Sequence, residues 1–349
     1  MEGSMVSCED YTLLLDIQGR VWGAGNNQNG GLGLAAEEDQ QNVFAKFPEL
    51  PPITSVYAGH NCSYFIDGQG NTFACGDSKG GRLGIELELH KKFYYATRKV
   101  QLKNVKKIAA NSSYQTLYLD ESGSVWFSGK KKDSTVEQSI PEKWENIPLM
   151  QDISRATDIL FLDENNEVWI SEFRGEGLLR NISKAHNLPP IASIHAGAQS
   201  VNMLLDVDGY IWIMGDGSSF YIQTNSQVPY KIPNLPPFTQ LSFNYSHCLA
   251  VTENREVFSG GSSMYGEVGR LYDGVIKIME NLPPNNTVHA GYCTSLFLDN
   301  QETVFACGQN ERRKLGREET PFNNIVKLGN LPPILQKNHT GPTKSARNV

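Results

Sequence analysis

The feature that most constrains this chain is a short motif that returns seven times along it. The copies are "LLLDIQGRVWGAG" from Leu13, "YFIDGQGNTFACG" from Tyr64, "LYLDESGSVWFSG" from Leu117, "LFLDENNEVWISE" from Leu160, "LLDVDGYIWIMG" from Leu204, "LAVTENREVFSGG" from Leu249 and "LFLDNQETVFACG" from Leu296. Their shared acidic position, at steps of about 43 to 53 residues, is held by Asp16, Asp67, Asp120, Asp163, Asp206, Thr252 and Asp299. Self-similarity with this period indicates one supersecondary unit used repeatedly.

Each unit is predicted to contain short β-strands. Runs rich in Val, Ile, Leu, Phe and Trp that are bounded by Gly, Asn and Asp are typical of strands. In the first copy, Asp16 starts a tight turn and Gly19 supplies its positive φ. One aromatic residue returns in the second strand of each copy, where we expect it to pack between neighbouring sheets. The aromatics are Trp22, Phe73, Trp126, Trp169, Trp212, Phe258 and Phe305.

A second marker returns in phase with the first and predicts how the ring closes. "LPPI" or a near relative begins at Leu50, Leu188, Leu235, Leu282 and Leu331. Four strands in each of seven units, without a long amphipathic helix, predict an all-β, seven-bladed propeller. The first unit, from Val6, lacks the marker, whereas "NIVKLGNLPPILQ" (Asn324–Gln336) follows the seventh unit unpartnered. We therefore expect the C-terminal strand to complete the N-terminal blade, which removes an exposed edge.

Domain organisation and location follow from length and composition. We expect one propeller domain over residues 1–337 and a flexible tail over residues 338–349. The net charge of −7 argues against broad affinity for nucleic acid or anionic membrane. Without an apolar run of 18 residues or a signal-like N-terminus, we expect no membrane insertion and a cytoplasmic or nuclear monomer.

The sequence offers no catalytic, metal or cofactor constellation. The six cysteines form no C-x-x-C pair, which argues against zinc and predicts reduced thiols. His60 lies close to Cys62, but adjacency in sequence does not make a catalytic pair, and we expect a turn residue beside a buried thiol. We expect the recurring aspartates to cap their own turns rather than perform acid–base chemistry.

The glycine-rich segment "DIQGRVWGAGNNQNGGLG" (Asp16–Gly33) raises the alternative of a phosphate-binding loop. A dinucleotide fingerprint needs a third glycine three residues after Gly25, where Gln28 stands, and a helix after it. A P-loop needs Lys and a hydroxyl after its last glycine, where Gly31 and Leu32 stand. Both nucleotide interpretations are therefore weak, and the segment is interpreted as a hairpin and a connecting loop.

The best copies of the motif resemble the repeat of the regulator of chromosome condensation family. The resemblance rests on the pattern L-x-L-D-x-x-G-x-V-W-x-x-G-x-N-x-x-G-x-L-G in Leu13–Gly33, Tyr64–Gly84 and Leu296–Gly316, and more loosely in Leu249–Gly269. It covers nearly the whole sequence and implies a seven-bladed propeller closed between its termini. The third, fourth and fifth units lose the glycine-rich ending, so the sequence resembles a divergent member of the family.

The resemblance implies two functions. The founding activity of the family is nucleotide exchange on the Ran GTPase, in which a wedge from one blade enters the nucleotide site. Most relatives use the propeller as a docking or regulatory module. Because this sequence has no basic N-terminal tail and no motif matching the wedge, we expect a non-enzymatic protein-interaction module. The alternative is a guanine nucleotide exchange factor for a Ran-like small GTPase.

One sector of the sequence is basic and is predicted to contact the protein partner. Nine Lys or Arg and only two Glu lie between Lys79 and Lys107, and a lysine run follows one blade later. Aromatics beside cations are common at interfaces, and a solvated loop is the competing interpretation. The candidate contact residues are Lys91, Lys92, Phe93, Tyr94, Tyr95, Lys130, Lys131 and Lys132.

Overall fold

Seven antiparallel sheets of four strands each form the described part of the molecule. The computed structural model describes residues 3–34, 39–86, 92–110, 115–130, 137–171, 182–220, 225–271, 275–280, 282–318 and 324–336. Within each sheet the strands are neighbours in sequence order. The all-β, seven-bladed propeller is thereby confirmed.

The first four blades take up a little more than half of the sequence. Their strands are β1 (Met5–Ser7), β2 (Tyr11–Leu15), β3 (Val21–Asn26) and β4 (Gln40–Lys46) in blade 1; β5 (Ile53–Gly59), β6 (Cys62–Asp67), β7 (Thr72–Asp77) and β8 (Phe93–Lys99) in blade 2; β9 (Val105–Ala110), β10 (Gln115–Asp120), β11 (Val125–Lys130) and β12 (Glu137–Lys143) in blade 3; and β13 (Met150–Arg155), β14 (Ile159–Asp163), β15 (Val168–Ser171) and β16 (Ile182–Lys184) in blade 4.

The last three blades follow the same plan. Their strands are β17 (Ile191–Ala196), β18 (Asn202–Asp206), β19 (Ile211–Asp216) and β20 (Asn225–Lys231) in blade 5; β21 (Phe238–Asn244), β22 (His247–Thr252), β23 (Val257–Gly261) and β24 (Lys277–Ile278) in blade 6; and β25 (Asn285–Ala290), β26 (Thr294–Asp299), β27 (Val304–Gly308) and β28 (Val326–Lys327) in blade 7. Single 3₁₀ turns lie at Lys79–Gly81, Ala198–Ser200 and Ser218–Phe220.

The recurring aspartate caps the hairpin between the second and third strands of its blade. In blade 1, one carboxylate oxygen of Asp16 accepts hydrogen bonds from the backbone N–H groups of Gln18 and Arg20, both at 2.9 Å. Its other oxygen accepts a hydrogen bond from the Trp22 indole at 2.9 Å. The same carboxylate–indole bond forms in blades 3, 4 and 5, at 2.7 to 2.9 Å. The expectation that these aspartates serve their turns is confirmed.

Seven apolar clusters fill the seams between adjacent blades. Because side chains alternate along a strand, successive leucines of β2 serve different neighbours. Leu13 packs in the seam with blade 2, and Leu14 packs in the seam with blade 7. The recurring aromatics also lie in these seams; Trp22 packs against the cluster of Leu14 and Leu296. Packing between neighbouring sheets is therefore the role of this aromatic position, as expected.

The glycine-rich loops after the third strand connect neighbouring blades. In blade 1, the Asn27 side chain accepts a hydrogen bond from the Leu32 N–H at 3.1 Å, which holds the loop closed. The Gly31 carbonyl then accepts a hydrogen bond from the Ser63 hydroxyl of blade 2 at 2.6 Å. Comparable links join blades 2 and 3 and blades 6 and 7. The glycines that suggested a phosphate cradle thus serve blade contacts.

The N-terminal and C-terminal segments both contribute to blade 1. Strand β1 forms most of the inner strand, beginning at Met5. Ile334 pairs with Asp16, which is the position that Ile53 takes opposite Asp67 in blade 2. The expected closure is confirmed, with one refinement: the C-terminal segment adds only the end of that inner strand. Earlier in the same segment, Val326–Lys327 forms the outer strand of blade 7.

Three further expectations from the sequence can be compared with the structure. Five cysteines are buried, Cys8 is half-buried, and all six are free. No helix among the described residues is long and apolar enough to cross a membrane. The expected tail, residues 338–349, lies outside the described residues.

Candidate functional site

The antiparallel topology gives the ring two different faces. Inner strands run from one face to the other, because Ile53 pairs with Asp67 at one end and Gly59 pairs with Cys62 at the opposite end. We call the face that carries the aspartate-capped turns the hairpin face. The opposite face, formed by the turns between first and second strands and the loops after third strands, is called the cavity face.

A cavity of about 490 Å³ lies among the inner strands. Its lining includes β1, β5, β9 and β13 and residues of the turns that follow β1, β5 and β13, so its mouth opens on the cavity face. Glycine shapes the outer rim of the cavity face, away from the cavity itself. Gly76, next to the last residue of β7, has φ +106°, and a Cβ there would overlap the carbonyl oxygen of Asn61 in the adjacent turn. The same close approach occurs at Gly25, Gly215, Gly261 and Gly308.

Two tyrosines from adjacent blades pack against each other at the mouth of the cavity, with their ring planes tilted by 49°. The ring centroids of Tyr245 and Tyr292 are 4.6 Å apart. Tyr245 opens the turn between β21 and β22 at φ +55°, a left-handed conformation that is unusual for a bulky side chain. The residue is nonetheless 40% exposed. An aromatic held in a strained backbone and partly open to solvent is a candidate contact residue, since strain of this kind clusters at functional positions.

A buried lysine lies beneath this tyrosine pair. The ammonium group of Lys314 is 5.8 Å from the centroid of the Tyr292 ring. It donates hydrogen bonds to the carbonyls of Tyr292 and Cys8, at 2.8 and 3.1 Å. Burial lowers the pKa of Lys314 to about 8. The lysine therefore links blade 7 to blade 1 and places a cation below the mouth.

The wall of the cavity carries two more cations. Lys107 forms an ion pair with Asp152, and although burial opposes it, this ammonium group holds the pKa of Asp152 below its ordinary value. Arg155 is 8% exposed, and its Nη2 donates a hydrogen bond to Gln115 Oε1 at 3.1 Å. Burial lowers the pKa of Arg155 to about 10, so the guanidinium stays charged at neutral pH.

A neutral histidine joins the last blade to the first at the cavity wall. His289 Nε2 accepts a hydrogen bond from the backbone N–H of Ser7 at 3.1 Å. Burial lowers the pKa of His289 to about 3, which keeps this nitrogen free of a proton and able to accept. The histidine thus serves ring closure.

The predicted basic sector is only partly a surface. Tyr94 is 1% exposed and packs in the seam of blades 2 and 3, because the segment from Phe93 is strand β8 rather than a loop. Tyr95 is half-buried, and its hydroxyl donates to the Gln28 carbonyl of blade 1 at 2.9 Å. Phe93 is half-buried; Lys92 and Lys130 are exposed. Lys91, Lys131 and Lys132 lie outside the described residues.

His60 and Cys62 do not form a reactive pair. Cys62 is buried, and burial raises the pKa of its thiol. The His60 ring points elsewhere, with Nδ1 3.3 Å from Glu9 Oε2 at the rim of the cavity. The expectation of a turn residue beside a buried thiol is confirmed.

Sequence reasoning missed the residues at the mouth of the cavity. Tyr245 and Tyr292 occupy the same turn of adjacent units, which an alignment of the repeats by their inner strands would have revealed. Arg155 and Lys107 stand as isolated charges in predicted inner strands. Only the closed ring brings them to one cavity, so no local pattern indicates their proximity.

Comparison with known proteins shows similarity to one repeat family and to two of the proteins described below. The family model for the regulator of chromosome condensation repeat matches residues 18–66. The Xenopus laevis regulator of chromosome condensation is 32% identical over 80 residues, covering 23% of this chain and 19% of that protein. The human E3 ubiquitin-protein ligase HERC2 is 22% identical over 286 residues, which is 72% of this chain and 6% of the ligase. The chain therefore aligns with a small part of each of these relatives.

Solved structures share the fold over nearly the whole sequence. Prp20p from Saccharomyces cerevisiae, described with its binding properties to Gsp1p and histones, superposes with a TM-score of 0.76 at 17% identity, covering 95% of this chain and 91% of the other. Human WBSCR16 superposes with a TM-score of 0.75 at 15% identity, covering 88% and 93%. At these identities the likeness shows the fold.

Proposed function

We propose that this chain, which is similar to the regulator of chromosome condensation repeat family, is a non-enzymatic module that binds another protein through its cavity face. The observation that carries the proposal is the pair of Tyr245 and Tyr292, whose rings pack against each other at the mouth of the cavity. Tyrosine is favoured at protein interfaces because it combines a large apolar surface with a polar hydroxyl. The left-handed backbone of Tyr245, at φ +55°, adds support, since strain of this kind clusters at functional positions.

The basic sector is included in the proposal as the edge of the same surface. Lys92 and Lys130 are exposed, Lys92 just before β8 and Lys130 at the end of β11, and both of these strand ends lie on the cavity face. Exposed charges of this kind steer the encounter with an acidic partner more than they add affinity. The tyrosines would make the central contact, and the lysines would steer the acidic partner toward it.

Affinity capture with matched variants tests the proposal. Tyr245→Ala removes an exposed aromatic from the cavity face, and Ile17→Ala removes an exposed apolar side chain, 52% accessible, from the hairpin face. We expect Tyr245→Ala to lose the captured partners and Ile17→Ala to retain them, with both variants folded by thermal unfolding. Equal capture by both variants would refute a role for the cavity face.

The second candidate function is guanine nucleotide exchange on a Ran-like small GTPase. The structural similarity to Prp20p, which extends over 95% of this chain, is the reason to test for this function. Release of fluorescent GDP from purified GTPases of this class, with and without the propeller, separates the two functions. Faster GDP release at catalytic amounts of the propeller would establish exchange activity. An unchanged rate of GDP release would favour the non-enzymatic binding module.

A further inference from the structure

Four neighbouring blades each place one side chain at the same point of the cavity mouth. In these blades a two-residue turn joins the inner strand to the second strand, and the first residue of that turn lines the cavity. The residues are Tyr245 in blade 6, Tyr292 in blade 7, Glu9 in blade 1 and His60 in blade 2. Because the ring closes between blades 7 and 1, the four side chains form one arc, which we call the mouth arc.

Contacts between neighbouring blades hold the mouth arc together. The ring centroids of Tyr245 and Tyr292 are 4.6 Å apart. The backbone N–H of Tyr292 donates a hydrogen bond to the carbonyl of Ser7 in blade 1, at 3.1 Å. Oε2 of Glu9 is in turn 3.3 Å from Nδ1 of His60. The arc is therefore aromatic at one end and acidic in its middle.

The mouth arc is open to solvent. Tyr245 is 40% exposed, and the Glu9 side chain is 44% exposed. Lys314 is buried instead, with its ammonium group 5.8 Å from the centroid of the Tyr292 ring. The tyrosine pair thus has one cation beside it inside the protein, while part of the Tyr245 ring faces solvent.

Exposed negative charge surrounds the centre of the mouth arc. Glu311, in the loop after β27, is exposed like Glu9. Burial raises the pKa of the Cys293 thiol to about 12, and the charges of Glu9 and Glu311 add to this effect. Both carboxylates therefore act on the residue that follows Tyr292.

Three cations of the same loop are already engaged. Arg312 Nε lies 3.1 Å from Asp10 Oδ1, and Arg313 Nη1 lies 3.6 Å from Glu318 Oε1. Lys314 donates hydrogen bonds to two backbone carbonyls. The exposed carboxylates beside the tyrosines are thus placed to attract a cation from outside the protein.

The chemistry of arginine matches this arrangement. A guanidinium binds over the face of an aromatic ring, within about 6 Å of its centroid. Its planar fork also pairs with a carboxylate through two parallel hydrogen bonds. The ammonium group of lysine is more strongly hydrated and lacks the fork. Aromatic surface beside a carboxylate therefore favours arginine over lysine.

We propose that the mouth arc binds an arginine side chain of the partner, with the guanidinium over the exposed part of Tyr245 and Tyr292 and paired with Glu9. This inference rests on the proposed function, because it names the side chain that the cavity face receives. Lys92 and Lys130 lie on blades 2 and 3, across the ring from the tyrosines of blades 6 and 7. The partner therefore carries an acidic surface on one side of the contact and an arginine on the other.

Three synthetic peptides test the inference by saturation-transfer NMR titration with the full-length propeller. All are acetylated and amidated: GGRGG, its twin with citrulline in place of arginine, and GGKGG. Citrulline keeps the shape of arginine without the charge. We expect the arginine peptide to bind about fivefold to tenfold more tightly than the citrulline peptide, since a cation–π contact and an exposed ion pair act together. The lysine peptide should lie between them.

Variants assign the binding to the mouth arc. Glu9→Gln should weaken the arginine peptide by about threefold. Glu121→Gln, which removes the same charge from an exposed position on the hairpin face, is the matched control and should leave binding unchanged. Tyr245→Phe keeps the aromatic face and should retain binding. Tyr245→Leu removes that face and should bring the affinity close to that of the citrulline peptide.

The outcomes separate this inference from the proposed function. Equal affinity for the arginine and citrulline peptides, or an equal loss in Glu9→Gln and Glu121→Gln, would overturn the arginine site. Tighter binding of the lysine peptide would overturn the choice of arginine. If capture of a full-length partner still depends on Tyr245 in these cases, the proposed function stands without the inference. If neither capture nor peptide binding depends on the cavity face, both fail.

Discussion

The hairpin face and the cavity face of this propeller are built from the same seven repeats in opposite ways. On the hairpin face every turn uses the same device: an Asp, or Thr252 in blade 6, accepts hydrogen bonds from backbone N–H groups of its own turn. On the cavity face the equivalent turns carry different residues, among them His60, Tyr245 and Tyr292. The residues that repeat maintain the fold, and those that break the repeat are free to contact a partner.

Substitutions on the two faces should therefore differ in how far they lower the free energy of unfolding. Residues that close turns or permit close backbone approach should reduce stability when replaced. Residues at the mouth of the cavity should alter binding with little change in stability. Substitutions on the two faces test this contrast, beginning with the largest expected change in the free energy of unfolding.

The largest effect is expected at a rim glycine that serves architecture. Gly76→Ala places a Cβ against the carbonyl of Asn61 at a positive φ, and should destabilise the protein by about 2–4 kcal/mol. Gly68→Ala is the control in the same blade, because its Cβ would meet only the Thr54 methyl, at 3.8 Å. Urea unfolding measures both variants. Equal stability of the two would contradict the role given to the rim glycines.

Removal of one turn cap should have the next largest effect. Asp120→Ala deletes the acceptor for the Ser122 and Ser124 N–H groups and for the Trp126 indole. We expect a loss of about 1.5–3 kcal/mol in unfolding free energy, measured by urea unfolding. Glu121→Ala, which removes an exposed carboxylate beside it, is the control and should change little.

The same caps should make the hairpin face sensitive to strong acid. Although burial opposes it, hydrogen bonds lower the pKa of Asp16, Asp67 and Asp120. A lowered folded-state pKa gives stability that is present above the unfolded value of about 3.9 and is lost as pH falls through the folded value. Asp120→Asn should therefore flatten the profile of unfolding free energy below about pH 4.

A pH dependence at less acidic pH is expected from the cavity side. Burial lowers the pKa of His289 to about 3, below the unfolded value of about 6.5, so stability falls as pH drops from 6.5 toward 3. His289→Gln keeps an acceptor for the Ser7 N–H and should reduce this slope by about 1 kcal/mol per pH unit between about pH 6 and 4.5. Unfolding curves at several pH values measure the slope. An unchanged slope would show that His289 does not govern acid sensitivity here.

The smallest change in stability is expected at the mouth of the cavity. Tyr245→Gly relieves the left-handed backbone at φ +55° but loses the contact with the Tyr292 ring. These effects oppose each other, so the unfolding free energy should change by less than about 1 kcal/mol. Capture of the partner should nevertheless be lost. A large loss of stability would instead make Tyr245 an architectural residue.

Much of the fold could be predicted because its determinants repeat. The turn-capping position returns seven times, the LPPI marker five times and the Asp–Trp pair four times, and each acts within one unit, so the copies support a single interpretation. The burial of Tyr94 was not predictable from composition, because an aromatic beside lysines fits a strand edge as well as a loop. That Arg155, Tyr245 and Tyr292 line one cavity was not predictable either, since it depends on ring closure across several blades.

The measurement that tests the central claim most directly is site-specific photo-crosslinking. The photoreactive residue p-benzoylphenylalanine replaces Tyr245 on the cavity face or Ile17 on the hairpin face, and crosslinked proteins are identified after irradiation in cells. The proposed function predicts a discrete protein partner crosslinked from position 245 and none from position 17. A partner crosslinked from position 17 alone would place the binding surface on the hairpin face and contradict the account.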